Sequence, residues 1–240
     1  MPIRECIILA GGLGTRLRSA VPDTPKCMAP VAGKPFLHFV INYLQAQGIE
    51  SFIFSLGYMH EVIDEFLLTH YPLLNYQLSI EEEPLGTGGA IRLACKKATE
   101  PNVLVLNGDT MYKTDLAKLS AFHHQHAAAC TLSLKPMHDF DRYGVVEINK
   151  DGYIQSFMEK KFYQQGLING GVYALNVPKF LSLDLPEKFS FEKEYLEKYF
   201  ASEKMMGLMQ DEYFIDIGIP EDFEKANTEF GYLEINPADH

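Results

Sequence analysis

The sequence predicts an α/β protein, a single domain on a Rossmann-like open sheet that is mixed but mostly parallel, with helices on both faces. Three observations carry this. Short apolar runs alternate with segments of helical period through the first half of the chain, the pattern of βαβ units. The runs CIILA and VLVL are continuously apolar, as expected of strands covered by helices on both sides. No repeat, low-complexity tract or linker interrupts the 240 residues, a length suited to one large core.

In chain order, Cys6–Ala10 reads as the first strand because five apolar residues in a row lead into glycines. Pro35–Gln47 follows as a helix. Phe52–Leu56 reads as a strand, Glu61–Thr69 as a helix, Tyr76–Ile80 as a strand and Gly89–Ala98 as a helix. Val103–Leu106, Leu116–His126 and Cys130–Leu134 continue the alternation. Asp151-Gly152 is a hairpin signal between the strand-like Arg142–Asn149 and Tyr153–Met158, so antiparallel structure joins the sheet there. Gly171–Leu175 and Tyr213–Ile217 read as strands, Val177–Leu183 and Phe191–Ala201 as helices, and a last helix starts near Pro220. Open α/β sheets bind ligands beyond the carboxyl ends of their strands, which singles out the loops after CIILA, after Ile80 and after VLVL.

Composition narrows the function. Against 32 acidic residues stand 21 basic ones, a net charge of −11, and no Lys/Arg run exceeds two, so a nucleic-acid footprint is excluded. The first apolar stretch, of about six residues, is too short for a signal-peptide core or a membrane span, which predicts a cytoplasmic protein with no membrane partner. Four scattered cysteines without a C-x-x-C pair predict free structural thiols.

The stretch Leu9-Ala-Gly-Gly-Leu-Gly-Thr-Arg-Leu17 follows the first strand directly, and its glycines let backbone N–H groups approach phosphate oxygens. It departs from two familiar templates. A dinucleotide fingerprint beginning at Gly12 needs a glycine where Leu17 stands, and a Walker loop ending at Gly33-Lys34 needs Ser or Thr where Pro35 stands. Downstream lies Pro25-Lys26-Cys-Met-Ala-Pro30-Val-Ala-Gly33-Lys34-Pro35. With it the chain resembles the sugar-1-phosphate nucleotidyltransferases, whose hallmark is G-G-x-G-T-R-L followed by P-K-x-M-x-P-x-x-G-x-P. Later landmarks keep the order: Pro84-Leu-Gly-Thr-Gly-Gly89, Asn107-Gly-Asp109, Tyr143-Gly144, Glu159-Lys160, Asn169-Gly170 and Asp216-Ile-Gly218.

The resemblance implies a nucleotidyltransferase-type sheet over residues 1–240, with a nucleotide-binding half at 1–135 and a sugar-phosphate half at 136–240. It implies that a sugar 1-phosphate oxygen attacks the α-phosphorus of a nucleoside triphosphate and expels pyrophosphate. Two anions must meet, so positive charge is required at the reacting phosphates. Arg16 would hold the departing β- and γ-phosphates, and Lys26 the α-phosphate and the acceptor's phosphate. Leu9, Gly11, Gly12, Gly14, Thr15, Glu81, Pro84, Gly86 and Thr87 would line the nucleotide. Asp109 and Asp216 would hold Mg²⁺, which favours hard oxygen ligands and takes one or two protein carboxylates. On the acceptor side the resemblance places Asn107, Gly144, Glu159, Lys160, Asn169 and Gly170. His123, His124 and His126 read as surface residues.

Base choice rests on Glu81, five residues before Gly86, where many thymidylyl- and uridylyl-transferring relatives carry a base-reading Gln. A carboxylate only accepts hydrogen bonds; guanine offers two adjacent donors, and uracil one between two carbonyls, which favours GTP. The short family members resembled most, with E-E-x-P-L-G-T-G-G and F-I-D-I-G-x-P-x-D-[FY], are guanylyltransferases acting on a heptose 1-phosphate for surface polysaccharide. Mannose-1-phosphate guanylyl transfer, uridylyl transfer to an amino-sugar phosphate, cytidylyl transfer to a non-sugar phosphate and a catalytically silent nucleotide-sugar-binding subunit stand as alternatives. No oligomeric state follows from the sequence.

Overall fold

The computed structural model describes residues 2–12 and 24–235. In chain order the strands and helices are β1 (Glu5–Leu9), β2 (Pro30–Val31), β3 (Lys34–Pro35), α1 (Phe36–Ala46), β4 (Ser51–Leu56), α2 (His60–His70), β5 (Tyr76–Ile80), α3 (Gly86–Cys95), β6 (Asn102–Asn107), β7 (Thr110–Tyr112), α4 (Leu116–His126), β8 (Cys130–Phe140), β9 (Val145–Ile148), β10 (Ile154–Met158), β11 (Tyr163–Asn176), α5 (Val177–Leu181), α6 (Glu197–Tyr199), β12 (Met205–Met209), β13 (Phe214–Asp216) and α7 (Pro220–Ile235). A 3₁₀ turn covers Lys26–Met28, and a wide π-type turn covers Phe191–Leu196.

Strands β6, β1, β4 and β5 lie side by side and parallel. β11 runs antiparallel to β6, β8 and β9, with Ile168 standing between Val145 of β9 and Lys135 of β8, and Tyr173 between Val105 of β6 and Leu132 of β8. β10 completes one flank beside β9, and β12 pairs in parallel with β8. Two cores explain the continuously apolar strands. Ile8, Phe54, Leu104 and Leu106 point to one face, toward α1, α2 and α4, whereas Ile7, Ile53, Val103 and Val105 point to the other, under α3 and the Phe191–Leu196 turn. Neighbours in a strand face opposite ways, so every position must be apolar; each fully buried side chain of this size contributes about 1.5–3 kcal/mol. Glu5 is the polar exception in β1. Its buried carboxylate accepts from Thr99 N at 2.8 Å, Thr99 Oγ1 at 3.0 Å and Glu100 N at 2.9 Å, clamping the loop before β6 to the sheet.

The later strands exceed their sequence reading. β8 runs on to Phe140 and β11 begins at Tyr163, because both continue past the core as an antiparallel ribbon in which polar and apolar residues mix without a continuous apolar run. Their register shifts between Asn169 and Tyr173, where Gly171 takes a positive φ of 74°. β2, β3, β7 and β12 were not expected; the first three are of two or three residues, below what periodicity resolves. All four cysteines are buried free thiols.

His123 corrects the expectation of a surface cluster. It continues the buried face formed by Leu116, Leu119 and Ser120 on α4, and its ring nitrogens lie 2.9 Å from Thr131 Oγ1 and 3.1 Å from Asn102 Oδ1. The helical period runs on through polar residues there, so composition alone misplaced it. Burial, aided by His124 and Lys179, lowers its pKa from 6.5 to about 4. The folded state holds the neutral ring while the unfolded chain takes a proton below pH 6.5. Stability is therefore full above that value and is lost as pH falls toward 4, by up to ~3 kcal/mol. Urea melts of wild type and His123→Gln across pH 4–7 should show a shallower slope in the variant; coincident slopes would assign the pH dependence elsewhere.

Candidate active site

A cavity of about 830 Å³ opens at the carboxyl ends of β1, β4, β5 and β6, the edge where parallel sheets receive ligands. Leu9, Gly11, Gly12, Glu81, Pro84, Gly86 and Thr87 all line it, as do Lys26, Asn107 and Asp109. Gly14, Thr15 and Arg16 lie outside the described residues. Gly11 is required by close approach, since a Cβ there would sit 2.8 Å from Gly57 N. Gly86 has φ +72°, and a Cβ would meet Phe189 O at 2.6 Å, so the glycine-rich start of α3 also lets the Phe189 backbone approach.

Glu81 is held at the end of β5. Its N–H donates to Leu56 O at 2.8 Å, and its Oε2 accepts from Leu85 N at 2.8 Å, which closes the turn into α3. Burial raises its pKa, and the bond from Leu85 partly offsets this. Glu82 and Glu83 flank it on the same cavity wall. Sequence reasoning missed the loop after β4, which brings Gly57, Tyr58 and His60 to the same cavity. The parallel-sheet rule could have found it, because β4 lies between β1 and β5.

At the cavity floor the 3₁₀ turn presents the Lys26 ammonium, which bonds to the Asp109 carboxylate and lies 3.4 Å from Asp216 Oδ1. The ribbon of β7 and β13 sets this up. Asp216 pairs with Thr110, and Ile217 N donates to Asp109 O at 3.1 Å, which joins two distant loops. Gly218 N donates to Asp216 Oδ1 at 2.8 Å, and a Cβ on Gly218 would fall 1.9 Å from Lys26 Nζ. The glycine is thus a seat for the ammonium. Beneath it, burial and then the Asp109 charge push the Cys27 thiol up to about 12, so this sulfur stays protonated and takes no part as a nucleophile. Two hard carboxylates converging on one cation are a donor set that suits magnesium.

A smaller cavity of about 220 Å³ lies in the β9–β11 region, and Gly144, Glu159, Lys160 and Asn169 all line it. A Cβ on Gly144 would meet Met158 O at 2.4 Å, so glycine lets the hairpin strands close. Asn169 donates through Nδ2 to Tyr173 Oη at 2.8 Å and to Glu192 Oε1 at 3.3 Å, and accepts from Gly171 N at 3.1 Å. Two residues expected here lie elsewhere. Asn107 lines the larger cavity, its amide packed against Gly171, and Gly170 lines neither, being buried under the Tyr112 ring. Glu192, Lys193 and Glu197 line the smaller cavity without having been singled out from the sequence.

The nucleotidyl transferase family profile matches residues 5–231, and the chain belongs to that family. Among its relatives, it is 51% identical to the D-glycero-alpha-D-manno-heptose 1-phosphate guanylyltransferase of Aneurinibacillus thermoaerophilus, over 94% of this chain and 97% of the relative. Identity is 47% to the protein of that name from Campylobacter jejuni, over 91% and 96%. The crystal structure of HddC from Yersinia pseudotuberculosis complexed with GMP-PN matches with a TM-score of 0.85 at 38% identity, covering 95% of this chain and 100% of that one.

If Lys26 neutralises the reacting phosphates, Lys26→Ala should lower kcat by about 10² while raising KM for triphosphate much less. Gly218→Ala, which removes no functional group, should act in the same direction by about tenfold through misplacing the ammonium. Steady-state pyrophosphate release separates these outcomes from a pure KM effect, which would make Lys26 a uniform binding contact.

Proposed function

We propose that this protein transfers GMP from GTP to D-glycero-α-D-manno-heptose 1-phosphate, releasing pyrophosphate and forming GDP-heptose for surface polysaccharide. The observation that carries the reading is identity near one half, along almost the whole length, to two relatives bearing that activity in their names. The similar HddC structure is a complex with GMP-PN, a guanine nucleotide, which supports the choice of base. GTP supply and four buried free thiols suit a cytoplasmic setting; among the described residues no helix is long and apolar enough to cross a membrane.

An acceptor phosphate oxygen attacks the α-phosphorus in line; the bond from that phosphorus to the bridging oxygen breaks, and pyrophosphate leaves with the electron pair. Lys26 neutralises charge where the two phosphates meet. Arg16 binds the leaving phosphates. Asp109 and Asp216 would hold Mg²⁺, which supplies charge stabilisation at the phosphoryl oxygens when bound. Glu81 reads the base, and Glu159, Lys160 and Asn169 hold the sugar phosphate. The test is a matrix of five nucleoside triphosphates against a panel of sugar 1-phosphates that includes heptose and mannose, read by pyrophosphate release. GTP with the heptose 1-phosphate should have the highest kcat/KM, and a better pair elsewhere in the matrix would overturn the reading.

For the metal, Asp109→Asn and Asp216→Asn should each lose about 10² or more of turnover, and a chelator should silence the wild type until Mg²⁺ is restored. Near-normal turnover of both variants at saturating Mg²⁺ would rule out the carboxylate pair. For the base, inosine triphosphate lacks one of guanine's two donors, so kcat/KM should drop by about one to two decades against GTP. Glu81→Gln should narrow the GTP-over-UTP ratio, since an amide can donate to a uracil carbonyl. Equal rates with both purines and an unchanged ratio in the variant would return Glu81 to a purely structural role as the acceptor for Leu85 N.

A further inference from the structure

One wall of the smaller cavity is made by residues to which neither motif nor resemblance gave a role: Glu192 and Lys193 from the π-type turn, and Glu197 just after it. Glu192 and Lys193 each connect to a residue expected to hold the sugar, and Glu197 to Lys193. Lys193 Nζ donates to Glu159 Oε1 at 3.2 Å and to Glu197 Oε1 at 2.9 Å, and Glu192 Oε1 accepts from Asn169 at 3.3 Å. The turn is anchored from behind, with Phe191 and Tyr195 buried and Phe191 N donating to Thr87 Oγ1 at 3.0 Å. Turns of this kind concentrate at functional sites.

We infer that Glu192 and Lys193 set acceptor specificity, Glu192 by accepting hydrogen bonds from sugar hydroxyls and Lys193 as the positioning residue that aims Glu159 at them. This rests on the smaller cavity being the acceptor site. A sugar ring presents a row of O–H donors, and an ionised carboxylate is an acceptor with two oxygens. Three carboxylates around about 220 Å³ repel one another unless a cation sits among them, and Lys193 is placed as that cation. Stability does not explain the pairing. The Lys193 and Glu159 side chains are 53% and 85% exposed, and ion pairs so exposed contribute little. The acidic wall accepts neutral polyols, rejects anionic sugars, and leaves the phosphate to the Lys160 side of the cavity.

The experiment takes the acceptor that wild type turns over best and measures kcat, both KM values and the preference for that neutral sugar 1-phosphate over a hexuronic acid 1-phosphate. Lys193→Met should raise KM for the acceptor about tenfold, with kcat and KM for GTP within about threefold, and Lys193→Arg should restore most of the loss. Glu192→Gln should narrow the neutral-over-anionic preference by about fivefold or more, a readout that loosened packing would not move. Acceptor KM and preference within twofold of wild type in both variants, or an equal rise in KM for GTP, would overturn the inference. A wild-type preference for a sugar other than the heptose overturns the proposed function alone. Turnover with no sugar 1-phosphate overturns both.

Discussion

One ammonium between two carboxylates organises this molecule. Lys26 comes from a turn soon after the first strand, Asp109 from the end of β6 and Asp216 from the last strand; without a common charge two of the three would repel. Their meeting requires β7 to pair with β13, which brings the chain's final quarter back to the parallel half of the sheet. Gly218 completes the seat, because any side chain there would occupy the ammonium's place. The cavity floor is thus built from segments that no local interaction could bring together.

The segment from Glu187 to Glu197 links the two cavities. Phe189 O accepts from Gly88 N at 2.9 Å, and a Cβ on Gly88 would clash with the Phe189 ring at 2.2 Å, so α3 begins directly on this segment. Two residues further on, the same chain turns into the wall of the smaller cavity. The glycines of Pro84–Gly89 therefore serve two purposes. They expose backbone beside the larger cavity, and they give the wall of the smaller cavity a rigid back.

Much of this was legible in the sequence. CIILA and VLVL announced doubly covered strands, and their carboxyl ends announced the edge on which Leu9, Gly11, Gly12, Glu81 and Asp109 meet. The convergence of Lys26, Asp109 and Asp216 followed from motif resemblance, since their separation in the chain hides it from any local pattern. What escaped detection had a physical reason in each case. Tyr58 and His60 follow a strand whose place between β1 and β5 is a property of the whole sheet. Lys193 sits on a turn that departs from the 3.6-residue period, so no amphipathic pattern marks its neighbours as facing a cavity. His123 was hidden because polar residues continue a buried helical face.

Charge distribution joins these features. The chain carries a net charge of −11, yet both substrates of the proposed reaction are anions, so attraction must come from a few cations placed against local geometry rather than from the overall field. Lys26 is largely shielded, at 18% side-chain exposure, and pairs with Asp109, which lines the cavity beside it, and with Asp216, so its charge ties three distant segments together. At the smaller cavity carboxylates again outnumber cations, Glu159, Glu192 and Glu197 against Lys160 and Lys193, with Lys193 holding two of them in place. In the proposed reaction a phosphorylated sugar would turn its phosphate toward Lys160 and Lys26 and its hydroxyls toward the carboxylates of the smaller cavity. Orientation of this kind, imposed before reaction, is how an enzyme makes an in-line attack between two anions geometrically accessible.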